Sequence, residues 1–210
     1  KNVLSMPQGG LKRRPGMGYK ATLASEARLA AFSFNTEQTY LMVFTNNQIE
    51  VFMDGVSQAT VTTTYTTAQL FELNWTQSAD TMIIVHEDHQ PAKLVRGSTH
   101  TSWALSNISL TNIPTHDFGS GSEAVWSATR GWPKSVTFFG GRMWFGGSKK
   151  RPQSLWGSKT NDFYNFDMGT ALDDEAIYVT LDTDQVNAIT GIFSGRHLQL
   201  FTTGGEFYMP

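Results

Sequence analysis

Apolar residues in this chain come in short runs dominated by Thr, Val, Ile and aromatic side chains, and nearly every run is cut off by Gly, Asn or Asp. Such residues fit a pleated strand and lose rotamer freedom in a helix, so the pattern leaves little room for anything but β structure. Thr39 to Thr45 and Ile49 to Met53 flank Asn46-Asn47, with Ile49, Val51 and Met53 on one face and Glu50, Phe52 and Asp54 on the other. That alternation across a short polar turn predicts a hairpin. The same order of strand, turn and strand recurs at Thr81 to Arg96, Arg142 to Ser158 and His197 to Met209. Aligning the repeats on Leu41, Met82, Met143 and Leu198 gives a first spacing within the roughly 40 to 50 residues of a propeller blade, and two longer spacings that require insertions.

Strands such as Leu41-Met42-Val43-Phe44 are apolar on both faces, as expected where sheets are stacked on both sides. The expected fold is therefore all-β, with propeller-like blades of antiparallel strands; a β-sandwich is the alternative. One short helical turn is expected near 67–73. There Thr66-Thr67-Ala68-Gln69 fits a capping box, and Leu70, Phe71 and Leu73 could pack one side. The stretch from Thr60 to Thr67 reads as strand. Four segments result: an N-terminal arm and interface segment over 1–28, a first set of blade strands over 29–113, a loop or linker over 114–130 around Ser120-Gly121-Ser122, and a second set over 131–210.

With 40% apolar residues, 16% charged residues, 14 Phe, 6 Trp and 6 Tyr, the 210-residue chain can build a sizeable core. A net charge of −2 supplies no drive toward nucleic acid or an anionic membrane. The absence of cysteine removes disulfides, thiolate metal sites and a Cys nucleophile. No apolar run approaches the roughly 20 residues of a membrane-spanning helix. The chain opens at Lys1 without a signal-like stretch, which reads as a fragment or a processed chain.

His86-Glu87-Asp88-His89 has the residue types for zinc or acid-base chemistry, but its imidazoles stand at i and i+3 in a turn, not at i and i+4 on a helix. A solvated hairpin turn is the favoured reading. Asp162 with Asp167, Asp173-Asp174-Glu175 and Asp182 with Asp184 could form a glycosidase pair, yet each lies in turn-forming sequence where Asp bonds the local backbone. Lys149-Lys150-Arg151 reads as a solvated loop. Lys12-Arg13-Arg14-Pro15-Gly16 places two guanidinium groups before a rigid turn, which suits either an interface or a flexible basic arm. No catalytic residue, metal or cofactor is expected.

The order of segments also resembles a known family. Gly9-Gly10 and Arg13-Arg14-Pro15-Gly16 are followed by Phe32, Phe34, Gln38 and Tyr40, then by Gln77-Ser78-Ala79-Asp80, Met82, His86, Pro91, Leu94, Arg96 and Trp103. Later come Gly131 with Pro133, Arg142-Met143-Trp144-Phe145-Gly146-Gly147-Ser148, Pro152, Trp156, Ser158, Asp162, Asn165 and Phe166. Asp184-Gln185-Val186 precedes Leu198, Thr202, Gly204-Gly205 and Glu206. In this order the chain resembles the tail nozzle (tail tubular protein B-like) family of short-tailed bacteriophages. The resemblance implies a non-catalytic virion protein: a homohexameric ring below the adaptor, contacting tail fibre or other tail proteins, with DNA passing through its channel without specific binding. Members of that family are several times longer, so it implies part of a subunit. The interface or structural residues it points to are Arg13, Arg14, Pro15, Gly16, Asp80, His86, Arg96, Trp103 and Arg142. A carbohydrate-binding or carbohydrate-degrading surface domain is the rival expectation, resting on the Trp residues and Asp clusters.

Overall fold

The computed structural model describes residues 2–170 and 172–209. Apart from a single 3-10 turn, its regular structure is entirely β. A small hairpin, β1 (Val3–Ser5) with β2 (Leu11–Arg13), comes first. The first sheet joins β3 (Arg28–Ser33), β4 (Thr39–Thr45), β5 (Gln48–Met53) and β6 (Val56–Thr62). The second joins β7 (Asn74–Ser78), β8 (Thr81–His86), β9 (His89–Arg96) and β10 (Trp103–Asn107). A hairpin of β11 (Thr115–Asp117) and β12 (Ser122–Ala124) separates these from the third sheet of β13 (Ser135–Phe139), β14 (Arg142–Gly146), β15 (Ser154–Gly157) and β16 (Ile177–Thr180). The fourth holds β17 (Ile189–Ser194), β18 (Leu198–Thr202) and β19 (Glu206–Met209). Each is an open antiparallel meander in which strands adjacent in sequence are adjacent in space. Leu41, Met82, Met143 and Leu198, the residues that align the repeat, all occupy the second strand of their sheets.

The sheets stack face against face because the period of two sends alternate side chains into different layers. On β8, Met82 and Ile84 join Met42, Phe44, Ile49 and Val51 of the first sheet, while Ile83 and Val85 turn to the third. On β14, Met143 and Phe145 face the second sheet, and Trp144 packs with Leu155 against Ile189, Ile192 and Leu200 of the fourth. Three apolar layers thus separate four sheets. Close approach sets the small positions: a Cβ on Gly157 would meet the Trp144 ring at 2.9 Å, and one on Gly147, at φ +62°, would meet the Ile189 carbonyl oxygen at 2.9 Å.

Several local expectations need correction. The helical turn spans only Thr67–Gln69. The Gln69 side-chain oxygen does accept from the Thr66 N–H (3.1 Å), and Leu70 and Leu73 are buried, but Phe71 points to solvent. The strand read through Thr67 ends at Thr62. Segment 114–130 carries its own hairpin and then sends Val125 and Trp126 into the layer between the second and third sheets. There the Trp126 ring meets Trp156, Phe145 and Phe166 edge-on at centroid distances of 5.1, 5.4 and 5.0 Å.

Candidate functional site

The β8–β9 turn concentrates the most chemistry, and its placement departs from a solvated turn. His86 is fully buried. Its Nδ1 accepts the Asp88 N–H at 3.0 Å, which leaves the proton on Nε2 to be donated to the Glu72 carboxylate at 3.1 Å. His89 donates from Nε2 to the Gln69 side-chain oxygen (3.0 Å) and accepts the Thr64 hydroxyl at Nδ1 (3.3 Å). Both imidazoles therefore have their ring nitrogens engaged. The two carboxylates reach the other way, Glu87 to Lys134 at 3.3 Å and Asp88 to Lys149, while the Glu87 carbonyl accepts the Trp132 N–H. Four consecutive side chains thus bind the second sheet to the 3-10 turn on one side and to the third sheet on the other. Lys149 holds the Asp88 carboxyl below its usual range, and burial, with the neighbouring His86, lowers the His89 imidazole below its ordinary value. Beside them, burial pushes the Tyr65 phenol up to about 12.

Asp80, Arg96 and Trp103 come together at the opposite end of the second sheet. The Arg96 guanidinium donates to the Tyr40 hydroxyl (2.8 Å), the Gln38 side-chain oxygen (3.0 Å) and the Gly97 carbonyl (3.0 Å), and lies 4.3 Å from the Phe34 ring centroid. Asp80 and Ser98 border the shallow hollow above it. Beneath, Tyr40 bonds His100 Nδ1 at 2.6 Å, and Trp103 packs edge-on against Phe32 and Tyr40. This constellation ties the first sheet to the second.

Arg142 belongs to neither group. It is buried, and its guanidinium donates to the main-chain oxygens of Ser158, Asp173 and Glu175. The segment after β15 is thereby pinned to the third sheet. Arg13, Arg14, Pro15 and Gly16 are all exposed and border a shallow depression with Asn2, so the arm offers its cations to solvent.

Within the acidic clusters, Asp162 accepts the Asn165 amide, Asp167 the Gly169 N–H, and Glu175 the Thr170 and Leu172 N–H groups, and outside them Asp117 accepts the Gly119 and Gly121 N–H groups. Of the six Trp, on which the rival carbohydrate reading partly rested, Trp126, Trp144 and Trp156 are buried and Trp75, Trp103 and Trp132 half-buried. Lys149 and Arg151 are not simply solvated. Arg151 donates to the Tyr178 hydroxyl at 2.5 Å.

Arg28 and Glu72 were missed in the sequence. Arg28 donates to the Leu70 and Leu73 carbonyls and lies 4.3 Å from the Trp75 ring centroid. Its only sequence signal is a charged residue at the edge of a strand.

One sheet face is covered only in part, with Val43 and Phe52 buried and Leu29 and Leu41 exposed. Leu29, Ala31, Leu41, Val43 and Phe52 form the outer face of the first sheet, opposite the face that packs on the second. Residues 20–23 lie along one side, leaving an apolar groove of about 480 Å³ with Leu29 and Leu41 55% and 42% exposed. Such a patch marks an interaction surface more often than a random feature of a monomer. At the other end of the stack Phe193 and Tyr208 project from the fourth sheet, 55% and 70% exposed. Among the described residues no helix is long and apolar enough to cross a membrane. Compared with known proteins, the chain matches no protein-family model and no curated protein.

Proposed function

We propose that this chain is part of a structural subunit of a short-tailed phage tail nozzle, located in the virion and assembled as a ring that extends the DNA-ejection channel below the adaptor. The ordered resemblance across the sequence supports the family. The observation that favours an assembly role is the exposed apolar strip of Leu29 and Leu41 beside the groove on the outer face of the first sheet. Side chains that would draw attention as catalytic, above all His86 and His89, are bonded into joints between sheets. The role needs no cofactor. DNA would pass a wall that does not read its sequence, in keeping with a net charge of −2.

Electron micrographs of the purified full-length protein are expected to show closed rings of about six subunits, since homo-oligomers close by cyclic symmetry. Antibody raised against this chain is expected to label the tail end of short-tailed particles. A protein that stays monomeric at high concentration and is absent from particles would overturn the reading.

A further inference from the structure

We infer that the cleft where the first and second sheets meet, between the end of β6 and strands β9 and β10, binds a neutral saccharide. The site lies within one copy of the chain, so the inference stands apart from the ring proposed above.

The composition of the cleft points to that chemistry. It encloses about 390 Å³, within the roughly 300–1,000 Å³ of small-molecule sites. Among the described residues that line it, none is Asp, Glu, Lys or Arg. A phosphate or carboxylate would find no cation there, and a cation no carboxylate. The two titratable side chains on its wall are neutral near pH 7, since burial lowers the His89 imidazole below its ordinary value and pushes the Tyr65 phenol up to about 12. Hydroxyl groups come from Thr62, Thr64, Tyr65 and Ser106, and amides from Gln90 and Asn107. A hydroxyl both donates and accepts, and so does an amide, so the set mirrors the hydroxyl groups of a sugar. Ala92 and Leu105 add apolar surface for the C–H groups of its ring.

Part of this wall is held and part is free. His89 is fixed at both ring nitrogens, by Gln69 at 3.0 Å and Thr64 at 3.3 Å, and the Gln90 amide donates to the Ile108 carbonyl at 2.9 Å. Little ordering is therefore left to do when a ligand enters. The Tyr65 phenol is the opposite case. Its ring stands edge-on to His89 at a centroid distance of 5.1 Å and the residue is only 3% exposed, yet its hydroxyl has no hydrogen-bond partner among the described residues. A buried tyrosine hydroxyl normally finds one, as Tyr40 does with His100 and Arg96. The Thr62 and Ser106 hydroxyls are likewise unengaged among the described residues. A ligand hydroxyl would complete them.

Strand β10 is outermost in the second sheet and borders the same cleft, so an added peptide strand is the rival occupant. Strand addition works through main-chain groups and leaves the unpaired phenol unexplained. The saccharide accounts for it.

The test places the full-length protein on immobilised neutral oligosaccharides of glucose, galactose, mannose and N-acetylglucosamine, beside sialylated and sulfated ones and an extended Thr/Val peptide. Retention on at least one neutral saccharide is expected. Tyr65→Phe removes only the unpaired hydroxyl and should weaken retention about three- to tenfold, the usual worth of one hydrogen bond. Ser106→Arg, at an exposed position on the strand edge, should fill the cleft and abolish retention with circular dichroism unchanged. Ser98→Ala, outside the cleft, should leave it as it is. The inference is overturned by no retention on any neutral saccharide, by a preference for the acidic ones or the peptide, or by retention that either cleft variant leaves unaltered. Rings can form while saccharide retention fails, and the reverse, so the two readings fail separately.

Discussion

The layer between the second and third sheets and the outer face of the first sheet are built from the same kind of strand, yet one is sealed and the other is not. At the sealed layer Ile83, Val85, Met143, Phe145 and Trp156 are all buried. At the outer face Val43 and Phe52 are buried as well, but Leu29 and Leu41, no less apolar, stand half in solvent. What separates them is what lies around the strands. The inner layer receives Val125 and Trp126 from the inserted segment and is bolted at its edge by Glu87–Lys134 and Asp88–Lys149. Among the described residues, the groove on the outer face is bordered by Lys20, Ala21 and Leu23. Strand composition makes a face apolar; inserted segments and polar joints decide how completely it is sealed.

The contrast can be broken most sharply at Trp126. Trp126→Ala removes a fully buried indole from the sealed layer and is expected to cost about 4 kcal/mol in urea unfolding, the usual range for a large aromatic truncated in a core. Next comes Arg142→Met, which keeps the aliphatic stem but removes the donor shared by the Ser158, Asp173 and Glu175 carbonyls, of which Ser158 is buried, with an expected loss of about 2 kcal/mol. Arg142→Lys should recover only part, because one ammonium cannot span the fork. Truncating the joint itself with His86→Ala, which leaves the Asp88 N–H and Glu72 without their partner, should cost about 2 kcal/mol by the same measurement.

Acid should act on the same joint, more gently. His89 has a lower affinity for a proton in the fold than its ordinary value of 6.5, so the unfolded chain takes up the proton first. Its contribution is complete above that value and declines as pH falls through it toward the folded value. Melting temperature should therefore drop as pH falls through and below 6.5, and His89→Gln should flatten that slope. A slope unaltered in the variant would place the pH sensitivity elsewhere. The smallest effect belongs to the open face: Leu41→Ser should change monomer stability by no more than about 0.5 kcal/mol while reducing association.

Much of the fold could be read from residue pattern, because a period of two and turn residues are local signals. The four hairpins and the alignment on Leu41, Met82, Met143 and Leu198 fall where the pattern places them. Trp126 was less legible: its neighbours Ser120-Gly121-Ser122 look like linker, and only the tertiary fold shows an aromatic anchor beyond them. His86 escaped for a similar reason. Polar residues in a turn normally seek water, and the partners that make burial tolerable here, Glu72 and the Asp88 backbone, come from a separate turn and from the fold of the loop itself. Asp80, Arg96 and Trp103 do converge, but Tyr40, Gln38 and Phe34 from the other sheet define what their convergence does.

Arg142 has a consequence for how freely this molecule can change. It anchors the stretch from 158 to 175 through main-chain oxygens, and every amino acid carries one. Substitutions along that stretch can alter its outward chemistry while the anchor still finds the same three acceptors. Such a loop can diversify what it shows to its surroundings with its path conserved, and a lineage bearing it could acquire new neighbours without redesigning the sheets behind.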